Sequence, residues 1–369
     1  MRIIRRKTRT INLGGVKIGG ASPVSIQSMT KTDTLDVAAT VAQIKELERA
    51  GCEIVRTAVK DASCCEALAK IMKKINIPLE ADIHFDYRLA LKAIDAGVDG
   101  VRLNPGNVYK KEEVAAVIKA AKKRRLPVRV GVNSGSVRLP EGRKVKKDEL
   151  PRLMVKAALD YLRLIESLDF RDLMVSLKCS DVPQTIDAYR LMAKKCDYPF
   201  HLGVTAAGPE LSGTVKSALG IGILLAEGIG DTIRVSLTGD PVDEVVVGKQ
   251  IIQGLGLRRF GPEVLSCPTC GRTEVDIIGI ANKVEEELGR IKDEKGRLSG
   301  LRVAVMGCVV NGPGEAKEAD LGIAAGKGSG FLFIKGKPAR KIRESEFVSE
   351  IIKEINRIKN SNIKIQISK

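Results

Sequence analysis

Pro78-Leu-Glu-Ala-Asp-Ile-His84 and Gly100-Val-Arg-Leu-Asn104 each read as a short strand, and between them residues 86–95 carry apolar side chains at helical spacing. Strand, helix and strand in so short a span is the unit of a parallel sheet. The unit recurs on both sides. Upstream, Val24–Met29 precedes a helix over 36–50, and Cys52–Thr57 one over 61–75. Downstream, helices over 111–124, 148–168, 182–196, 212–228 and 241–253 follow Asn104 and the strands Val128–Asn133, Asp172–Lys178, His201–Thr205 and Thr232–Thr238. Eight units in about 230 residues predict an N-terminal (β/α)8 TIM barrel, a fold of ~250 residues. A doubly wound sheet is the alternative, but no change in strand length marks a switch point. Ahead of the first unit, residues 10–20 read as a hairpin turning at Gly14-Gly15.

Composition changes near Gly254–Pro262, so the barrel is expected over 1–256 and a smaller α+β domain over 257–369. In the second domain the pattern predicts a helix over 276–292, a strand Leu301–Met306, strands near Leu321–Ala325 and Gly330–Lys335, and a helix over about 345–359. Gly322-Ile-Ala-Ala-Gly-Lys-Gly-Ser329 lacks Walker spacing, and no GxGxxG opens a helix, so no bound nicotinamide is expected.

The second domain carries Cys267-Pro-Thr-Cys270 and, further on, Cys308-Val-Val-Asn-Gly-Pro-Gly-Glu315. Three thiolates suit zinc or an iron–sulfur cluster, not magnesium or calcium. A structural zinc site closes with a fourth Cys or a His. No further cysteine follows Cys308, and the two histidines, His84 and His201, lie far upstream. Glu315, on a Gly-rich turn, is the candidate fourth ligand, and a cluster with one weak oxygen ligand can exchange it for substrate. A zinc knuckle, or a CxxC that binds nothing, is the alternative.

The 369 residues are 44% apolar, enough for a core in each domain. Aromatics are 3% and Trp is absent, which argues against stacking platforms for single-stranded nucleic acid. The net charge of +17 is spread along the chain; it suits an anionic substrate or an acidic partner, and no nucleic-acid tail stands out. The remaining five cysteines, Cys52, Cys64, Cys65, Cys179 and Cys196, have no ligand spacing and read as reduced core residues, hence a cytoplasmic protein. No run approaches membrane-spanning length, and no membrane partner is expected.

Barrel active sites form at the C-terminal ends of the strands, and residues two apart on a strand share a face. Those ends carry Arg56, Asp82 and His84, Arg102 and Asn104, Arg129 and Asn133, Lys178, and Arg234 and Ser236. Five cations from five strands would converge on one mouth. Ion pairing with Glu53, Glu80, Asp82 and Glu210 is one explanation; an anion with several charges, such as a diphosphate, is the other. His84, beside Asp82, is a candidate general acid or orienting group, whereas His201 starts strand seven and reads as structural.

Ser28-Met29-Thr30, Val55-Arg56, Ala81-Asp82-Ile83-His84-Phe85, Arg102-Leu103-Asn104-Pro105-Gly106-Asn107, Gly131-Val132-Asn133, Ser176-Leu177-Lys178, His201-Leu202-Gly203-Val204-Thr205, Ile233-Arg234-Val235-Ser236 and the two cysteine motifs together resemble the hydroxymethylbutenyl diphosphate synthase family of the methylerythritol phosphate isoprenoid pathway. The resemblance covers nearly the whole chain, in order. It implies two-electron reductive ring opening of methylerythritol cyclodiphosphate with loss of water. It implies a [4Fe–4S] cluster on Cys267, Cys270, Cys308 and Glu315, with Asn311 close to substrate. It implies a diphosphate cradle of Arg56, Arg102, Arg129, Lys178, Arg234 and Ser236, with Asn133 nearby. It further implies a homodimer, in which the cluster domain of one chain closes over the barrel of the other, and ferredoxin or flavodoxin as acidic electron donor. One position departs from the family. Where relatives of this type read His-Leu-Gly-Val-Thr-Glu, this chain has Ala206, and the family's Glu contacts substrate hydroxyls and aids proton transfer. Glu210 is the nearest carboxylate that could substitute. Two other readings remain: a zinc-stapled nucleic-acid-binding protein, and a pterin-binding type of barrel with a structural tail.

Overall fold

The computed structural model of the chain describes residues 3–137, 146, 148–291, 293 and 296–360. It divides into two compact units, Met1–Arg258 and Arg259–Lys369.

In the first unit the strands are β1 (Ser25–Met29), β2 (Ile54–Val59), β3 (Leu79–Ile83), β4 (Gly100–Leu103), β5 (Val128–Asn133), β6 (Leu173–Lys178), β7 (His201–Leu202) and β8 (Thr232–Ile233). The helices that follow them are α1 (Val37–Ala50), α2 (Ala62–Met72), α3 (Tyr87–Ala96), α4 (Lys111–Arg124), α5 (Leu150–Glu166), α6 (Val182–Ala193), α7 (Glu210–Ala226) and α8 (Pro241–Gly254). The sheet runs β6-β5-β4-β3-β2-β1-β8-β7, parallel throughout. A parallel bridge between Val175 and Phe200 joins its two ends into a ring. This is the expected TIM barrel.

Local chemistry sets the helix starts. Asp36, Asp61, Asp86, Asp181 and Asp240 are N-caps whose carboxylates accept from Ala39, Cys64, Arg88, Gln184 and Val242 amides. Both faces of the barrel strands are covered, and β3 and β6 are buried along their whole length. The hairpin pairs Thr10–Leu13 with Val16–Gly19, and its turn needs positive φ at Gly14 (54°) and Gly15 (98°). Its Ile11, Leu13 and Ile18 pack on Ile54 and Met174, near the N-terminal ends of β2 and β6. The hairpin therefore caps that end of the barrel and leaves the C-terminal end as the mouth.

β7 and β8 are shorter than the expected 201–205 and 232–238. Beyond Ile233 the backbone turns to other partners: the Leu237 amide donates to the Glu244 carboxylate and the Thr238 amide to Gly208 O. β2 also starts later than expected, at Ile54, because the Cys52 amide closes the turn out of α1 by donating to Leu47 O.

The second unit is a five-stranded sheet in the order β9 (Glu263–Ser266), β10 (Arg302–Met306), β11 (Leu321–Gly326), β12 (Ser329–Ile334) and β13 (Lys337–Arg343). The first three strands are parallel and the last two antiparallel. α9 (Ile277–Arg290) joins β9 to β10, α10 (Gly312–Lys317) joins β10 to β11, and α11 (Phe347–Asn360) closes the described chain. Val284, Ile351 and Ile355 of the long helices pack on Val303, Val305 and Ile323 of one sheet face. Ala316 of α10 packs on Ala304 and Ala324 of the other. The last residue of the expected helix 276–292, and residues 361–369 of the second domain, lie outside the described residues. Among the described residues no helix is long and apolar enough to cross a membrane.

Candidate functional site

Each unit carries one candidate site. In the barrel, strand alternation turns Arg56, Asp82, Arg102, Arg129 and Lys178 inward, and all five are buried. The room they need comes from glycine. A Cβ on Gly131 of β5 would stand 2.5 Å from Arg102 Nε, and one on Gly203 would stand 2.8 Å from Lys178 Nζ.

The cations are partly paired. Arg129 is the most deeply set. Its Nε and Nη2 donate to Glu80 and its Nη1 to Ser176 Oγ, at 3.3 Å for the last. Gln27 donates to the same Glu80. Asp82 lies between two guanidiniums, 3.1 Å from Arg102 Nη1 and 3.5 Å from Arg56 Nε. Arg102 also donates to Gly131 O, and Arg56 points its Nη2 at Met29 Sδ. Arg234, beyond β8, forks onto Glu244 at 3.1–3.2 Å and donates to Ser236 Oγ at 3.0 Å. Lys178 makes no ion pair with any described residue.

These contacts fix the charges. Burial pushes the Asp82 carboxyl up, but Arg56, Arg102 and Arg129 outweigh it and hold the group well below the usual carboxylate range. Burial brings Arg56 down to about 9, still charged at neutral pH. Burial also lowers Arg129, and the Glu80 carboxylate more than restores it. Lys178 is pushed well below the ordinary lysine range, first by burial and then by Arg56, Arg129, Arg234 and Arg102. With three carboxylates among five cations, the mouth retains an excess of positive charge, and an anion is the natural complement.

Of the other expected residues, His84 and Ser236 are half-buried just past their strands, and Asn133 ends β5 with its backbone tied to Ser136 Oγ. Asn104 accepts from the Gly106 amide and from Ser136 Oγ. His201 is fully buried at the start of β7, and neither ring nitrogen has a hydrogen-bond partner among the described residues. Glu53 is not at the mouth: it pairs with Arg258 at 2.7 Å. Glu210 is exposed at the start of α7. Ala206 is exposed with φ 49°, in the left-handed region. Sequence reading missed Glu244, which lies on α8 rather than at a strand end. Its signal was present, since position 244 is one turn from the buried Gly248 on the face that packs on the barrel. It missed Lys31 as well, whose ammonium lies 3.3 Å from Glu244.

In the second unit, Cys267 follows β9 directly and Cys308 follows β10, so adjacent parallel strands deliver both at their C-terminal ends. The Gly307 amide donates to Cys267 Sγ at 3.2 Å, and the Cys270 amide donates to Thr273 Oγ1 at 3.1 Å. Glu315 is not on a turn, as the glycines suggested, but in the helix α10; Pro313 near its start needs no amide partner and presets φ. Cys267, Cys270, Cys308, Asn311 and Glu315 all line one cavity of about 680 Å³, together with Arg272. Amides of Asn311, Val310 and Gly312 hold the Cys308 thiol below its ordinary range, and the Arg272 amide and side chain do the same for Cys270. Among the described residues no three His, Cys, Asp or Glu side chains converge on a single metal ion. A cluster makes no such demand, because each thiolate binds a different iron. The cavity and its stabilised thiolates fit a group held by cysteine ligands.

The fold and these sites define a two-unit protein: a TIM barrel with a cationic mouth, followed by a small domain with a three-thiolate cavity. Residues 8–249 match the GcpE TIM-barrel domain and residues 263–357 the GcpE protein C-terminal domain, so the chain belongs to the GcpE family. It is similar to proteins named 4-hydroxy-3-methylbut-2-en-1-yl diphosphate synthase (flavodoxin). The one from Clostridium perfringens is 54% identical over 96% of this chain and 99% of its own length. Those from Caldanaerobacter subterraneus and Geobacillus thermodenitrificans are 54% and 52% identical, over 96% of this chain and 98% and 93% of theirs. Among solved structures, a Coxiella burnetii dihydropteroate synthase in complex with pteroic acid matches with a TM-score of 0.50 at 11% identity, over 68% of this chain and 98% of that one. That likeness shows the barrel fold alone.

Proposed function

We infer that this chain catalyses the two-electron reductive opening of 2-C-methyl-D-erythritol 2,4-cyclodiphosphate to 4-hydroxy-3-methylbut-2-enyl diphosphate, with loss of water and with flavodoxin as electron donor. One observation carries the reading: identity of 54% across 96% of the chain with relatives that bear this name. The cationic mouth supports it. Arg56, Arg102, Lys178 and Arg234 with Ser236 bind the diphosphate, and Asn133 lines the rim. Arg129 acts from beneath, holding Glu80 in place. Fixing the diphosphate orients the carbon skeleton for reaction. Asp82 keeps Arg56 and Arg102 charged and aimed, and His84, half-buried just past β3, is the candidate to donate a proton to the departing hydroxyl.

Cys267, Cys270, Cys308 and Glu315 would hold a [4Fe–4S] cluster, which when bound supplies electrons one at a time and a Lewis-acidic iron. Asn311 lines the same cavity, and we assign it to contact substrate there. The basic chain, with net charge +17, complements an acidic donor protein. The exposed apolar side chains Leu211, Val215, Leu219 and Ile223 on α7 support a homodimer. All eight cysteines are free thiols, in keeping with a cytoplasmic setting. Nothing in the fold or among the relatives supports a nucleic-acid-binding role.

Iron and sulfide assays on anaerobically purified protein test the ligand set. The native chain is expected to be brown, with iron and sulfide in equal amounts. Cys308→Ser is expected to fold, by circular dichroism, but to be colourless. Full iron content in that variant would overturn the assignment.

A further inference from the structure

We propose that Lys178 is a free amine until an anion binds at the mouth and takes up one proton as the anion binds, so that anion and proton bind together. The inference rests on the anion-binding reading of the mouth and deepens it.

The geometry singles out this residue. Arg129 is committed to Glu80, Arg102 and Arg56 to Asp82, and Arg234 to Glu244. Those three carboxylates are thereby used, and Lys31 adds a further cation on Glu244. Lys178 has no carboxylate within ion-pair distance among the described residues. The cations that surround it are Arg56 from β2, Arg102 from β4, Arg129 from β5 and Arg234 beyond β8, and His201 of β7 lies near it. Its amine stands over Gly203, where an added Cβ would lie 2.8 Å away. Two residues back, His201 offers no negative charge. It is fully buried, its ring nitrogens are unbonded, and burial with the surrounding cations keeps it neutral.

A buried ammonium without a counterion is costly, and among the side chains here only lysine can escape by losing its proton; guanidinium cannot. A bound diphosphate reverses the balance. It brings negative charge into the one position that lacked it, and the protonated amine gains a charge-assisted hydrogen bond. Because both phosphorus atoms of the cyclic diphosphate lie in ring linkages, each keeps only one strongly acidic hydroxyl. The ligand does not titrate near neutral pH, and any proton taken up on binding goes to the protein.

Isothermal titration of the cluster-loaded protein with the cyclic diphosphate at pH 7.5, in Tris and in HEPES, counts that proton through the buffers' different ionisation enthalpies. Uptake of close to one proton is expected, together with a Kd that weakens about tenfold per pH unit between pH 7.5 and 8.5. Lys178→Arg keeps the charge but cannot titrate; it is expected to bind with no proton uptake and a flat pH profile. Lys178→Met is expected to bind more weakly, also without uptake. Binding to the native protein with equal heats in both buffers would overturn the proposal and leave the functional reading standing. Undiminished uptake in both variants would also overturn it, by assigning the proton elsewhere. No binding to the native protein would sink the functional reading and the proposal with it.

Discussion

Asp82 holds the mouth together by serving two guanidiniums at once, 3.1 Å from Arg102 and 3.5 Å from Arg56. Removing its charge leaves both cations buried and unpaired, so Asp82→Asn is expected to destabilise the barrel by about 3–5 kcal/mol. The pH dependence has a definite sign. The folded carboxyl sits below its unfolded value, so its contribution is present above about pH 4 and is lost as pH falls through the folded value. Urea midpoints followed by circular dichroism are therefore expected to differ most between native and variant protein at neutral pH, and to approach each other in acid. A constant difference from pH 7 to pH 3 would show that Asp82 is not the ionised link. Ala206 is the complementary case, a place where a charge is missing. Its backbone lies at φ 49° and its side chain is exposed past β7. Ala206→Glu is expected to raise kcat by about 10²-fold or more, the usual scale of one acid–base group. Equal kcat in both forms would mean that another group already does this work.

At the scale of elements, long inward cations are possible only because glycine lies beside them. Gly131 on β5 gives Arg102 its channel. Gly131→Ala is expected to displace the guanidinium and raise KM for the cyclic diphosphate about tenfold, worth ~1.4 kcal/mol, with iron content unchanged. An unaltered KM would show that Arg102 does not grip the substrate. The barrel elements were legible because each strand–helix unit repeats one pattern and Asp caps mark the helix starts. Other elements hid for physical reasons. β13, Lys-Pro-Ala-Arg-Lys-Ile-Arg, is an edge strand with six of its seven residues exposed, so it carries charge and proline instead of alternating apolar side chains. α10 was read as a turn because Gly-Pro-Gly breaks helices in their interiors; here those residues form its first turn, where the lost amide costs nothing. The strand-end cations were readable from alternation alone, whereas Glu244 was not, since its partner Arg234 belongs to a different element.

Across the whole molecule, two chemistries are housed separately in the sequence: a cationic barrel mouth in Met1–Arg258 and a thiolate cavity in Arg259–Lys369. The barrel mouth supplies a cluster of buried cations, and the second unit supplies the thiolates of Cys267, Cys270 and Cys308 with Arg272 beside them. Their union in one chain is what a reductive opening of a cyclic diphosphate requires. The most direct measurement is anaerobic turnover of that substrate by the cluster-loaded chain with reduced flavodoxin, run in parallel on Ala206→Glu. The account predicts 4-hydroxy-3-methylbut-2-enyl diphosphate at one product per two flavodoxins oxidised by one electron each, slowly in the native chain and faster in the variant. Substrate recovered intact from both fully loaded proteins would contradict it.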